Sequence, residues 1–372
     1  MRITFLLPGL SRRPIGGFRV VYEYANHLAG RGHEVTVVHP RRLPNYPPSP
    51  GHDLYGWLRR KGAWLRDYLL PAKIGWQPID GRVKMVFVPE PSARYFPDVD
   101  AIFATSWATA ECITQFPASK GEKFYLIQHY ETWDGPKERV DATWRAPLHK
   151  VVISRWLYEL GGSLGGGDMA CIPNGFRLTR YRVLSPISAR PKRVAMLLSH
   201  HKWKGSDDGL RALSVVKERH QDLQAALFGV SKPPPGVPSW AKYYRNPSQE
   251  FLIRDIYNGS GVFVCPSWTE GFPLPPAEAM ACGCALVSTS CGGISEYAEH
   301  SVTALLSPPR DPEALAANLL RVLADDDLRI RLALEGHKRI QAFTWERSTN
   351  LLEEFIRSRL SRSPGHGGHD VP

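Results

Sequence analysis

Apolar residues along the chain follow two alternating rhythms. Short, nearly continuous runs alternate with longer stretches whose apolar positions lie three and four apart. The first rhythm reads as buried strand, the second as amphipathic helix. Residues 2–7, RITFLL, form the first run. A loop, PGLSRRPIGG, follows. FRVVYEYANHLAGRGH then places Val20, Val21, Tyr24, Ala25 and Leu28 at helical spacing, with Gly30 and Gly32 at its end. EVTVVHP is a second run. Strand, glycine-containing loop, helix and strand in this order predict a βαβ unit of a parallel sheet. Further strands are expected at VKMVFV, AIFATS, KFYLIQ and KVVIS.

The pattern restarts after residue 190. RVAMLLS reads as strand, GSDDGLRALSVVKERH as helix and LQAALFG as strand. SQEFLIRDIYNGS then reads as helix, GVFVCPS as strand, PAEAMACG as helix and ALVSTS as strand. TWERSTNLLEEFIRSRL is the last helical pattern. The fold class is therefore α/β, with two doubly wound, Rossmann-like domains over 1–178 and 190–344. The tail 362–372 has little to bury and is expected to be disordered.

Composition narrows the class. The chain has 372 residues, 43% of them hydrophobic and 22% charged, as in a soluble globular protein. No apolar stretch is long enough to predict a transmembrane helix, and the N-terminal run reads as a strand, not a signal peptide. Cys112, Cys171, Cys265, Cys282, Cys284 and Cys291 lack paired zinc spacing, so reduced thiols in a cytoplasmic protein are expected. The net charge of +11 points to an anionic partner. With no zinc-finger, homeodomain or RNA-binding signature, that partner is not expected to be nucleic acid. Residues 54–70 place Leu54, Trp57, Leu58, Trp64, Leu65, Tyr68 and Leu69 at helical spacing around Arg59, Arg60 and Arg66. Such a basic amphipathic helix would dock on its own domain, contact an acceptor or lie on an anionic membrane surface.

The candidate chemistry centres on SWTEGFPLPPAEAMACG, Ser267 to Gly283. GVFVCPS should be a buried strand, and ligands of such sheets bind beyond the strands' carboxyl ends. Glu270 lies just past that end. Gly271 lets the backbone approach a ligand closely. Pro276 suits the first turn of a helix, whose free N–H groups and positive dipole end suit a phosphate. Glu278 is expected on that first turn. Two carboxylates flanking an anion site fit a ligand with hydroxyl groups on both sides of a diphosphate, as in a nucleotide sugar. Either glutamate alone would equally suit a solvated helix start.

The whole string EGFPLPPAEAMACGCALVSTSCGGISEY closely resembles the E-x7-E signature of family-4 retaining glycosyltransferases, the group 1 family with the GT-B fold. The resemblance extends to GGFRVVYEYANHLAGRGHEVTVV, to IPNGF, to Lys204-Gly205, to GGISEY and to FTWERS. SWATAECI with YLIQHYETW resembles the branch that holds rhamnosyltransferases of bacterial surface polysaccharides. The resemblance implies two domains facing a central cleft, with the helix over 345–361 crossing back to the acceptor-side N-terminal domain.

It also implies roles. Glu270 would hold the donor sugar's hydroxyls and its anomeric carbon. Gly271, Phe272, Pro273 and Leu274 would contact sugar and phosphate through their backbone, and Glu278 would take the ribose hydroxyls. Lys204 would bind the diphosphate. Gly16 and Gly17 would let the N-terminal loop pass close to that diphosphate, and His129 would lie beside the donor sugar. Glu131 and Asp134 are alternatives for acceptor contact. The family usually carries an Arg five or six residues before the Lys. Here Leu198 and Ser199 stand at those places, leaving Lys202, His200 or His201 as substitutes.

The reading implied is a retaining transferase that moves a sugar from a nucleoside-diphosphate-sugar to a glycan or lipid-linked acceptor, without metal or cofactor. It would be cytoplasmic or peripheral on the inner face of the membrane. The alternatives are a sugar-nucleotide epimerase or phosphorylase on the same scaffold, and a non-catalytic nucleotide-sugar-binding protein.

Overall fold

The structure, a computed structural model, describes residues 1–44, 74–234 and 236–362. The expected amphipathic helix over 54–70 lies outside the described residues, as does nearly all of the tail. The chain divides into two compact units. The first comprises residues 1–152, 158–172 and those from Thr349 on; the second comprises Ile153–Leu157 and Pro173–Ser348.

The first unit runs β1 (Arg2–Leu6), α1 (Gly16–Gly30), β2 (Glu34–Pro40), β3 (Lys84–Val88), β4 (Ala101–Ala104), α2 (Trp107–Thr114), β5 (Glu122–Ile127), α3 (Lys137–Arg145) and β6 (His149–Val152). α4 (Arg155–Ser163), which belongs to this unit from Tyr158 on, and β7 (Met169–Cys171) follow. The strands form one parallel sheet in the order β3-β2-β1-β4-β5-β6-β7. Helices on both faces explain why the strands read as unbroken apolar runs. Ile3, Phe5, Val35, Val37, Ile102 and Phe103 are all buried. Phe5, Phe103 and Phe124 stack across neighbouring strands with centroids 4.9 and 4.7 Å apart. The order reverses between β1 and β4, so the loops after these two strands flank the switch point of the sheet.

The second unit runs β8 (Val194–Leu197), α5 (Ser206–Arg219), β9 (Ala225–Gly229), β10 (Ala241–Arg245), β11 (Val262–Cys265), α6 (Leu274–Ala281), β12 (Ala285–Thr289), β13 (Ala304–Ser307), α7 (Pro312–Ala324) and α8 (Asp326–Ile340). Its parallel sheet has the order β10-β9-β8-β11-β12-β13, reversing between β8 and β11. The expected helix over 248–260 is present, beginning as one α-helical turn, Gln249–Phe251, and continuing as a π-helix over Leu252–Tyr257. The acidic run at 325–327 begins α8: Asp325 caps it by accepting from the Leu328 N–H at 2.9 Å.

The stretch IPNGF makes a close backbone crossing within the second unit. The Phe176 N–H donates to the Phe343 carbonyl at 3.0 Å. A Cβ on Gly175 would fall 2.2 Å from the Trp345 nitrogen, so only glycine fits there. The last helix, α9 (Trp345–Leu360), contributes its residues from Thr349 on to the first unit. There Phe355 meets Phe124 edge-on at 6.0 Å, and Leu352 and Ile356 are fully buried. Leu351 on the same helix is 36% exposed, and the buried stripe runs through Thr349.

Candidate active site

At the switch point of the second sheet, β8 leads into a loop that closes with the turn Lys202–Lys204. Gly205 ends this turn with φ +60°, and a Cβ there would fall 2.0 Å from the Pro266 carbonyl oxygen. Glycine is therefore required both for the left-handed backbone and for the close approach to the loop after β11. The Ser206 hydroxyl pins the same loop: it donates to the Ser199 carbonyl and accepts from the Ser199 N–H, both at 2.9 Å. These contacts turn Lys204 toward the end of β11.

There its ammonium meets Glu270. Lys204 Nζ lies 2.7 Å from Oε1 and 2.9 Å from Oε2. The Glu270 side chain is 8% exposed and that of Lys204 25%. Burial pulls the Lys204 ammonium down, but the charge and hydrogen bonds of Glu270 outweigh it and hold the group above its ordinary range. The Ser267 hydroxyl donates to Glu270 Oε1 at 2.7 Å, and Ser267 is itself buried. The Glu270 backbone is held equally firmly. Its N–H donates to the Cys291 carbonyl at 2.7 Å, and its carbonyl accepts from the Gly293 N–H at 3.0 Å. A Cβ on Gly293 would overlap the Gly271 carbonyl oxygen, which explains a glycine at that place in GGISEY.

Glu278 sits on the fifth residue of α6, one position past the expected first turn. It is buried, and its Oε2 accepts from the Tyr257 hydroxyl at 3.1 Å. Burial, and then the nearby Glu278 charge, push the Tyr257 phenol well above its ordinary range. The first turn of α6 is Leu274, Pro275 and Pro276, with Pro273 as its cap residue. Prolines lack N–H groups, so this helix start offers a phosphate one first-turn backbone donor, Leu274, besides its dipole. The Phe272 side chain turns into the core against Phe176 and Tyr297, leaving its backbone for contact.

Lys202, His200 and His201 are exposed on the turn. His201 stacks on Trp203 at 4.3 Å, and burial followed by Lys204 lowers its pKa. The structure thus brings Lys204, not Lys202, onto the acid.

The first-unit candidates gather at the ends of β1 and β5. Gly16 and Gly17 are the first two residues of α1, where the sequence suggested a loop. The Gly17 carbonyl accepts from Gln128 Nε2 at 3.1 Å, and a Cβ on Gly17 would press on that side chain at 3.3 Å. His129 Nδ1 accepts from the Tyr130 N–H at 2.8 Å, which places the ring proton on Nε2; Trp133 meets the ring edge-on at 4.3 Å. Glu131 Oε2 accepts from the Trp107 N–H at the start of α2, 2.8 Å away. Burial pushes the Glu131 carboxyl up to about 7, against the opposing pull of that hydrogen bond. Burial also raises Asp134.

Ser267, Tyr257 and Gln128 escaped the sequence reading. Ser267 alone had a local signal, lying three residues before Glu270; the other two reach their partners only through the tertiary fold. Among the described residues no group of three or more His, Cys, Asp and Glu side chains could hold a metal ion. No helix among them is long and apolar enough to cross a membrane.

Residues 191–325, which contain Lys204, Glu270 and Glu278, match the family described as glycosyl transferases group 1. D-inositol 3-phosphate glycosyltransferase of Corynebacterium urealyticum is 28% identical over 198 residues, covering 49% of this chain and 46% of that protein. The chain thus spans about half the length of that curated relative. Among solved structures, sucrose-phosphate synthase from Thermosynechococcus elongatus superposes with a TM-score of 0.71 at 19% identity, over 97% of this chain and 100% of that one. The Anabaena protein HepE, solved in complex with UDP-glucose, gives 0.71 at 16% identity over 96% and 100%. The stretch from 191 to 325 is thus similar to group 1 glycosyltransferases, and the chain that carries it has the GT-B fold.

Proposed function

We propose that this protein is a retaining glycosyltransferase that moves a sugar from a nucleoside-diphosphate-sugar to a glycan or lipid-linked acceptor. The observation that carries the reading is the Lys204–Glu270 pair, held at the switch point of the second sheet. A carboxylate there can accept hydrogen bonds from sugar hydroxyls. The ammonium beside it can neutralise the charge that grows on a departing diphosphate. Glu278, one turn into α6, is the proposed ribose ligand. The backbone of Gly271, Phe272, Pro273 and Leu274 supplies the remaining donors and acceptors. Gly16, Gly17 and His129 are the groups that the first unit would contribute. The departing phosphate itself would take the acceptor's proton, so no enzyme nucleophile or metal is required.

HepE was solved with UDP-glucose, which makes UDP-sugars the first donors to test. A thermal-shift screen against UDP-, GDP- and dTDP-sugars identifies the base, since a ligand stabilises in proportion to ln(1 + [L]/Kd). Product analysis with the stabilising donor then separates transfer from epimerisation and phosphorolysis. A protein that binds no nucleotide sugar in this panel does not have the proposed function. Peripheral attachment to an anionic membrane through residues 54–70 is a separate proposal, tested by co-sedimentation with anionic and neutral vesicles.

A further inference from the structure

The carbonyl of Glu270 accepts a second hydrogen bond that the proposed reaction does not use. Trp156 Nε1 donates to it at 2.7 Å. Trp156 belongs to Ile153–Leu157, the short segment that joins the second unit ahead of the rest of that unit's sequence. Its ring is seated against Gly292. A Cβ on Gly292 would fall 2.8 Å from Nε1, 2.9 Å from Cε2 and 3.0 Å from Cδ1, and Gly292 has φ +80°. Glycine at 292 therefore makes the room that the indole fills. The neighbouring Arg155 N–H donates to Glu296 Oε1 at 2.5 Å, a second tie beside the indole at the start of α4.

We infer that Trp156 is a positioning residue for the peptide that joins Glu270 to Gly271. In a trans peptide the carbonyl and the following N–H lie in one plane and point in opposite directions. Two donors, Trp156 Nε1 and the Gly293 N–H, fix the Glu270 carbonyl. They thereby fix the direction in which the Gly271 N–H is presented. That N–H is one of the backbone donors proposed to contact the sugar or its phosphate, so this inference rests on the proposed function for its catalytic consequence. A donor aimed in advance stabilises developing charge without reorganisation at the moment of reaction. The Glu270 carboxylate keeps its own partners, Lys204 and Ser267, so losing the indole donor changes the peptide and leaves the ion pair in place.

The test compares wild-type protein with Trp156→Phe, which keeps an aromatic ring against Gly292 and removes the N–H. A second variant carries 3-benzothienylalanine at position 156, an isostere that lacks only the donor and guards against a folding defect. With glycine-selective 15N labelling, the Gly271 amide signal should move and exchange faster in both variants, at unchanged Tm. With the donor found by thermal shift, kcat should fall about tenfold. KM should stay within about twofold, because binding of the ground state is largely untouched. An unmoved Gly271 amide in both variants overturns the positioning role, and so does unchanged kcat with a donor that the wild type turns over. Wild-type protein that turns over no nucleotide sugar refutes the transferase reading instead. The amide signal then still decides whether Trp156 holds the peptide.

Discussion

Lys204 Nζ and the two carboxylate oxygens of Glu270 form a forked contact at 2.7 and 2.9 Å, with Ser267 adding a third donor to the carboxylate. The cation proposed for the diphosphate is thus already engaged by the acid proposed for the sugar. A diphosphate must draw on the same ammonium. Replacing Glu270 by Gln removes the competing charge but keeps the shape. Glu270→Gln should bind UDP, or whichever nucleoside diphosphate the screen selects, as tightly as wild type or several-fold more tightly. Its turnover should fall by about a hundredfold or more. Titration calorimetry and initial rates measure the two effects. Weaker nucleotide binding together with normal turnover would reverse the assigned roles.

Glu278 calls for a different substitution. Glu278→Ala would leave the buried Tyr257 hydroxyl without this partner, at a cost of about 1–3 kcal/mol in stability, and so would confuse folding with binding. Glu278→Gln retains an oxygen for Tyr257. It should raise the nucleotide Kd several-fold, leave kcat within about threefold of wild type and barely change Tm. A drop in kcat as large as that of Glu270→Gln would move Glu278 from ribose binding to the chemistry.

Excess EDTA should leave turnover unaltered. In the proposed mechanism the Lys204 ammonium and the dipole of α6 meet the leaving-group charge. Activity assays with and without chelator check this. Complete loss that magnesium alone restores contradicts the proposed mechanism.

Glu131 gives the stability a pH dependence. Its carboxyl is raised from 4.5 to about 7 by burial, so the folded state holds a proton that the unfolded state has already released between these values. Stability contributed by the protonated form is full below about pH 4.5 and is lost as pH rises through 7. Glu131→Gln keeps an acceptor for the Trp107 N–H and abolishes the titration. Its Tm should therefore lack the part of the decline between pH 4.5 and 7.5 that wild type shows. Parallel Tm profiles for the two proteins would refute the assignment.

Much of this architecture was legible because its strands are covered on both faces. Continuous apolar runs such as GVFVCPS and EVTVVHP then have one reading. β10 was not, because AKYYR is an edge strand with exposed Lys242 and Arg245 and lacks the unbroken run. Gly16 and Gly17 read as loop by propensity, yet open α1, since the first turn of a helix costs glycine little where Gln128 needs the space. Glu270, Glu278 and Lys204 stood out through local spacing. Trp156 lies 114 residues from its partner and follows no local pattern, so only the fold reveals it.

The last helix lends itself to a paired test. Leu351 and Leu352 are adjacent and chemically identical, yet Leu352 is fully buried and Leu351 is 36% exposed. Leu352→Ala should cost about 2–5 kcal/mol, as for other buried leucines. Leu351→Ala should stay within about 0.5 kcal/mol of wild type. Directly after Leu352 on the same helix, Glu353 adds an electrostatic clamp within the first unit. It accepts from Arg31 Nη1 at 3.1 Å and lies 3.2 Å from His33 Nε2, both at the turn between α1 and β2. The Arg357 hydrogen bond, opposed by burial and aided by Arg31 and His33, lowers the Glu353 carboxyl to about 2. A depressed carboxyl contributes stability that is full above its unfolded value of 4.5 and is lost as pH falls toward 2. Glu353→Gln should therefore lower Tm at pH 7 and shrink that gap as the buffer is taken from pH 5 to 3. Equal destabilisation by the two leucine variants, or a Glu353→Gln deficit that does not change with pH, would show that α9 does not pack on the first unit as described.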